Sequence, residues 1–274
     1  MDEELKQLAS QIVEKISKEV RKESRSNFYK LGKTIGLGAD GTPTSYIDKI
    51  AEDVALKVLE RSAIKVNLLS EEAGFVDFGG TSVCVLDPVD GTRNAYRGIP
   101  FYSVSLAIGT KRISDIQYAI VKNIPTGDIF TAEKHHGSFL NKMQIRVCEI
   151  PSVEMLSSIS LGKNHTTRAG SLSKKGNVRS LGAASLEMCM VAIGALDYYF
   201  TGKEILRVVD IAASTLIVRE AGGFVKTLSG DNLDMDFTLT ERTSVIAACS
   251  ELLIADILSK AYNINTSGVL LPPQ

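Results

Sequence analysis

Between residues 66 and 131, five short runs rich in β-branched residues (66–69, 82–86, 102–109, 116–121 and 128–131) follow one another with no helical pattern between them. Successive strands joined by loops rather than crossover helices pair with their neighbours, so this stretch predicts an antiparallel sheet. Such a sheet needs an apolar cover, and two amphipathic helices precede it. Leu8, Ile12, Val13, Ile16 and Val20 recur at helical spacing, and Ile47, Ile50, Ala51, Val54 and Val58 mark a second helix with Thr44 or Ser45 as its N-cap. The Gly-rich stretch 32–44 between them reads as a mobile loop.

Around Pro151 the texture changes. A strand at 157–160, helices at 184–194 and 211–220, a strand at 244–248 and a helix at 251–261 alternate there, which predicts a second, α/β-like half. The expected halves are 1–150 and 151–274, sharing one core and a cleft, with a loose tail after Asn263.

Composition narrows the function. A formal charge of −1 in 274 residues gives no basic surplus for nucleic-acid phosphates. The opening is charged and amphipathic and no 18 apolar residues run together, so neither an export signal nor a membrane span is expected. Cys84, Cys148, Cys189 and Cys249 lie far apart with no CxxC pair, which suggests neither a zinc site nor a disulfide framework and fits a reducing, cytoplasmic setting. His135 and His136 read as exposed turn residues and His165 as part of a polar loop.

The segment 82–94 carries the chemistry. An apolar strand, SVCVL, runs into DPVDGTRN, and Asp87, Asp90 and the carbonyl of Val89 could converge on a hard cation such as Mg2+. If Gly91 and Thr92 open a helix, their backbone N–H groups offer an anion site beside it. Taken alone, DPVDG is equally a turn. A second acidic pair, Glu71 and Glu72, ends the apolar strand VNLLSEEAG, where a solvated pair is the plainer reading. Lys203 and Arg207 add positive charge that could hold a second phosphate, or they could pair with Glu187 or Glu204.

The segments SEEAG, LDPVDGTRN, and VVDIAAS followed by EAGG resemble, in that order, the motifs of the inositol monophosphatase and fructose-1,6-bisphosphatase superfamily, from residue 38 to 223. GADGTPTSYID and LRVVD are similar to its archaeal, dual-specificity members. The resemblance implies a layered αβαβα sandwich of α/β (α+β) class, sugar-phosphatase type, with an antiparallel N-terminal sheet and a mixed C-terminal one. It implies a Mg2+-dependent phosphatase, commonly a homodimer, for fructose 1,6-bisphosphate and inositol 1-phosphate. Glu71, Asp87, the Val89 carbonyl, Asp90 and Asp210 would hold two or three Mg2+ ions. Thr92 and Asp48 would orient and deprotonate the attacking water, with Glu71 at the same centre. Asp40, in a loop freed by Gly36, Gly38 and Gly41, would help recruit a third ion. Asp90, Gly91, Thr92, Arg179, Ser180 and Ala184 would face the substrate. Val209 stands where the family often has an aromatic residue, a change that touches packing rather than ligation. Two other functions fit less well. A nucleotide phosphatase acting on NADP or a 3'-phosphoadenosine nucleotide wants stacking surface, and the chain has no Trp and 6% aromatic residues. A non-catalytic metal- or phosphate-binding regulator would have lost some of these acids.

Overall fold

The computed structural model describes residues 2–39, 41–149, 151, 154–160 and 176–261. Asp40, His165 and the tail after Asn263 lie outside the described residues.

Helix α1 (Glu3–Ser26) starts at Asp2, whose side chain accepts the Glu4 N–H at 3.1 Å, and buries the predicted stripe from Leu8 to Val20. Helix α2 (Tyr46–Arg61) starts at Ser45, whose side chain accepts the Asp48 N–H. It buries Ile47, Ala51, Ala55, Val58 and Leu59. The Gly-rich stretch before it is not a loop. Strands β1 (Thr34–Leu37) and β2 (Pro43–Ser45) pair antiparallel, with Thr34 opposite Ser45. Its glycines mask a hairpin whose turn includes Gly41 at φ 82°.

The first sheet has eight strands: β3 (Asn67–Ser70), β4 (Gly74–Val76), β5 (Val83–Asp90), β6 (Ser103–Gly109), β7 (Tyr118–Asn123), β8 (Ile129–Glu133), β9 (Gly137–Leu140) and β10 (Met143–Ile145), in the order β10-β9-β8-β7-β6-β5-β3-β4. Neighbours run antiparallel except β3 and β5, which are parallel. The exception arises because β4 turns back to the outer edge, so the returning chain enters β5 in the direction of β3. The strands expected from the sequence do not include β4, β9 or β10.

The second sheet is mixed. Strands β11 (Met155–Ser160), β12 (Gly176–Arg179), β13 (Tyr198–Leu206), β14 (Phe224–Lys226) and β15 (Thr243–Ala248) lie in the order β12-β11-β13-β15-β14, with β11 parallel to both its neighbours. Helices α4 (Ala184–Ala192) and α5 (Val208–Glu220) fill the space between the sheets, and α6 (Glu251–Ala261) covers the far face. With α1 and α2 on the outer face of the first sheet, the layers are α, β, α, β, α. Being covered on both faces, every residue of β6 is buried. The same holds for α5 from Val208 to Val218. Each large apolar side chain buried there contributes about 1.5–3 kcal/mol, so α5 is anchored along its length. Val209 belongs to this core.

Four cysteines that sequence spacing separates are all free, but the fold brings Cys148 and Cys249 close together.

Candidate active site

Strand β5 continues through DPVD to Asp90 rather than stopping at a turn. Its pairing with β6 steps from Asp87 opposite Ser105 to Asp90 opposite Ser103, so β5 carries one extra residue there. In a regular strand, residues three apart face opposite ways. Ser103 and Ser105 share a face of β6, so the bulge turns Asp87 and Asp90 to the same side. The packing agrees. Val83 and Val85 lie in the core between the sheets, while Cys84 and Leu86 face α1 and α2, where Val89 joins them.

Gly91 follows at φ 84°, and an added Cβ would meet Ala183 at 3.0 Å and the Phe101 carbonyl at 3.1 Å. The tight left-handed step therefore requires glycine. It opens the short helix α3 (Thr92–Arg97). The Thr92 hydroxyl has Asp48 Oδ1 at 3.0 Å and the Val89 carbonyl at 2.9 Å, two acceptors for one proton. Ser45 Oγ donates to the other Asp48 oxygen at 2.6 Å. Burial pushes the Asp48 carboxyl up to about 6, and Glu71 adds to the rise, against the Ser45 and Thr92 hydrogen bonds.

Asp90 reaches across to the start of α4. It accepts the Ala184 N–H at 3.2 Å, the Ser185 N–H at 2.8 Å and the Ser185 hydroxyl at 2.5 Å, so a strand carboxylate caps a distant helix. Burial pushes its carboxyl up to about 7, with Ser185 opposing the rise and Asp210 adding to it. Asp87 accepts the Val89 N–H at 3.1 Å and is pushed well upward by burial, then by Asp90, Asp210 and Glu71, with Arg207 opposing.

Asp210 sits in the first turn of α5. It accepts the Arg207 N–H at 2.7 Å and the Arg207 Nη2 at 2.8 Å. The same guanidinium pairs through Nη1 with Glu71, which also accepts the Thr42 hydroxyl at 3.2 Å. Arg207 thus bridges the end of β3 to the start of α5. Glu72 accepts the Thr44 hydroxyl, and burial, then Glu71 and Asp48, push it up to about 7.

The remaining candidates spread outward. Arg179 is exposed at the end of β12, donating to the Val178 carbonyl at 3.1 Å, with Ser180 exposed beside it. Lys203 is half-buried in β13. His135 and His136 are exposed in the turn between β8 and β9.

Several positioning residues escaped the sequence reading. Ser185 holds Asp90 and also meets Ser103 Oγ at 2.8 Å. Asn94 Nδ2 donates to the Phe101 and Leu181 carbonyls, each at 2.7 Å. Glu187 accepts the Leu181 N–H at 2.8 Å and the Ser158 hydroxyl, and Glu52 accepts the Ala73 N–H at 2.8 Å and the Ser70 hydroxyl. The last two could have been flagged as acids at positions where an apolar helix face continues.

Glu71, Asp87, Asp90 and Asp210 therefore share one electrostatic neighbourhood with Arg207 as their paired cation. Buried carboxylates in excess of their counter-charge are costly. The donors, including the Val89 carbonyl, are all hard oxygens, which fits Mg2+.

The model of the inositol monophosphatase family matches residues 1–265. A fructose-1,6-bisphosphatase/inositol-1-monophosphatase of Methanothermobacter thermautotrophicus is 39% identical over 79% of this chain and 82% of its own length. A bifunctional NADP phosphatase/NAD kinase of Methanococcus maripaludis is 36% identical over 85% of this chain, which spans 46% of that longer protein. Among solved structures, an inositol monophosphatase–fructose 1,6-bisphosphatase superposes with a TM-score of 0.82 at 31% identity, over 95% of this chain and 100% of that one.

Proposed function

The chain belongs to the inositol monophosphatase family, and from that we propose that it is a Mg2+-dependent phosphate monoester hydrolase acting on fructose 1,6-bisphosphate, inositol 1-phosphate or both. The observation that carries the proposal is the β5 bulge, which puts Asp87 and Asp90 on one face with Thr92 beside them, toward Glu71 and Asp210. The cleft lies between the halves 1–150 and 151–274, the first giving Glu71, Asp87 and Asp90 and the second Asp210.

Glu71, Asp87, the Val89 carbonyl, Asp90 and Asp210 would hold two or three Mg2+ ions, with Asp40 helping at the third. When bound, such ions lower the pKa of a water and neutralise phosphoryl oxygens. The protein's own groups do the rest. The Thr92 hydroxyl, fixed between Asp48 and Val89, orients the attacking water and relays its proton toward Asp48, whose carboxyl near 6 is suited to accept one at neutral pH. The Gly91 and Thr92 N–H groups hold the transferred phosphate. Arg207 exchanges a carboxylate partner for a second substrate phosphate, and Lys203, Arg179, Ser180 and Ala184 line the remaining substrate surface. A homodimer in the cytoplasm completes the proposal. Exposed Tyr29 and Leu37, at and near the hairpin, offer apolar surface for a second copy, and no described helix is long and apolar enough to cross a membrane.

A second reading, hydrolysis of the 2'-phosphate of NADP, is favoured by the likeness to the NADP phosphatase/NAD kinase. Phosphate release from fructose 1,6-bisphosphate, inositol 1-phosphate, NADP and 3'-phosphoadenosine nucleotides, with Mg2+ and with chelator, separates the two. Sugar or polyol phosphates should turn over fastest and chelator should abolish turnover. Chelator-resistant release would remove the metal assignment, and preference for NADP would replace the substrate assignment.

A further inference from the structure

Away from the carboxylate site, the described residues bring together a second donor set of different chemistry. Cys148 lies in the segment after β10, Asp197 stands directly before β13 and Cys249 directly follows β15. Tyr198 pairs with Ala248, so Asp197 and Cys249 are neighbours at one end of the second sheet, and the Cys249 N–H donates to the Asp197 carbonyl at 3.2 Å. The Cys148 thiol donates to Asp197 Oδ1 at 3.8 Å, and both sulfurs and a carboxylate oxygen lie within 4.8 Å of one another. The other Asp197 oxygen accepts the Leu156 N–H at 2.8 Å, which fixes the carboxylate.

A tetrahedral zinc ion, with bonds of about 2.3 Å to sulfur and about 2.0–2.2 Å to oxygen, holds its ligand atoms roughly 3.5–3.8 Å apart. The cluster is within about 1 Å of that arrangement. Two adjacent thiols also suggest a disulfide, and the carboxylate decides between the two. A disulfide carries no S–H, so its formation would remove the hydrogen bond that Cys148 donates to Asp197 Oδ1. A cation held among the three engages all of them.

We infer that Cys148, Asp197 and Cys249 form a binding site for a thiophilic divalent cation of the zinc class, distinct from the oxygen-lined carboxylate site. Loading displaces the two thiol protons to solvent and leaves two thiolates and one carboxylate around the ion. Cys148 is half-buried, which gives the ion a way in. The bound ion staples the ends of β13 and β15 to the segment leading out of the first sheet, where the Val147 N–H already donates to the Ala221 carbonyl at 3.1 Å.

The test is Co2+ titration of the reduced protein in saturating Mg2+, followed by absorbance. Thiolate-to-cobalt charge transfer reports the sulfur site, and an all-oxygen site cannot produce it. The expected result is charge-transfer absorption saturating at about one equivalent per chain, displaced by Zn2+ and lost in Cys148→Ser and Cys249→Ser. Zn2+ should also raise the melting temperature of the wild-type protein but not of Cys148→Ser, with circular dichroism confirming that each variant is folded. Wild-type protein without the absorption overturns the site, as does absorption that survives in both serine variants. A Cys148–Cys249 disulfide found by mass spectrometry, in protein whose reduced form takes up no Co2+, also overturns it.

Discussion

The carboxylate site is built from two regions of opposite character. Asp87, Asp90 and Asp210 stand on β5 and α5, elements buried along their lengths, whereas the hairpin that touches Glu71 and Glu72 has a fully exposed first strand. The Thr42 and Thr44 hydroxyls and the Ala39 N–H, which donates to the Glu72 carbonyl at 3.1 Å, connect the hairpin to this acidic pair. The contrast teaches that one region fixes charge at set positions while the other adjusts at its rim. Substitutions in the first should abolish chemistry with the fold intact, and those in the second should tune it.

The sharpest attempt to break this contrast is Asp90→Asn or Asp210→Asn. Each should lower turnover by a hundred- to a thousandfold, roughly the weight of one electrostatic contributor, with an unchanged circular dichroism spectrum. Near-normal turnover at moderate Mg2+ would mean the residue does not hold the ion. Next, Thr92→Ala should lower kcat by about a hundredfold with KM little changed. Adding Asp48→Asn should cost much less than the product of the single losses if, as proposed, the two share one proton path. Fully multiplicative losses in that cycle would assign them separate tasks.

Acidity gives an effect of intermediate size. Asp90 near 7 and Asp87, also raised, must lose protons to take up Mg2+, so lowering the pH from 8 to 6 should weaken Mg2+ binding by about tenfold or more, read by calorimetry. The stability of metal-free protein runs the other way. A carboxyl whose folded pKa lies above its unfolded value favours the fold at low pH, and that contribution is lost as pH rises through the folded value. The melting temperature of chelated protein should therefore fall between about pH 5 and 8, and Mg2+ should suppress the fall. A flat profile would show that these acids ionise freely in the fold. The smallest effect belongs to the hairpin. Thr44→Val removes a hydroxyl from Glu72 and should cost about 1 kcal/mol or less in stability and only a few-fold in turnover. A loss as large as that of Asp90→Asn would erase the distinction between scaffold and rim.

Much of this was legible in the sequence, for reasons that are physical. Helices α1 and α2 each bury one stripe and expose the rest, so they announce themselves. The strand leading into DPVD could be read as a delivery device for acids. Helix α5 is buried all round and so shows no stripe, and its Asp210 gained meaning through resemblance alone. The bulge leaves no periodic trace in β5, because it is defined by what stands opposite in β6. Arg207 between Glu71 and Asp210, and Cys148 beside Cys249, depend on strand order, which spacing along the chain does not encode. In the sequence the hairpin 34–45 looks like a loop, because its glycines break the alternation that marks a strand.

The extra residue in β5 also bears on how such a site can change over generations. Between Asp87 and Asp90 the number of residues matters as much as their identity. A deletion of Pro88 or Val89 would leave the acids two apart and on one face of a regular strand, but it would remove the bulge that bends β5 toward Gly91 and the Thr92 hydroxyl. Substitutions in this tetrapeptide can be sampled one at a time, but a change of length is a discontinuity, since it removes the bend in a single step. Lineages carrying this site should therefore drift in letters here and never in length.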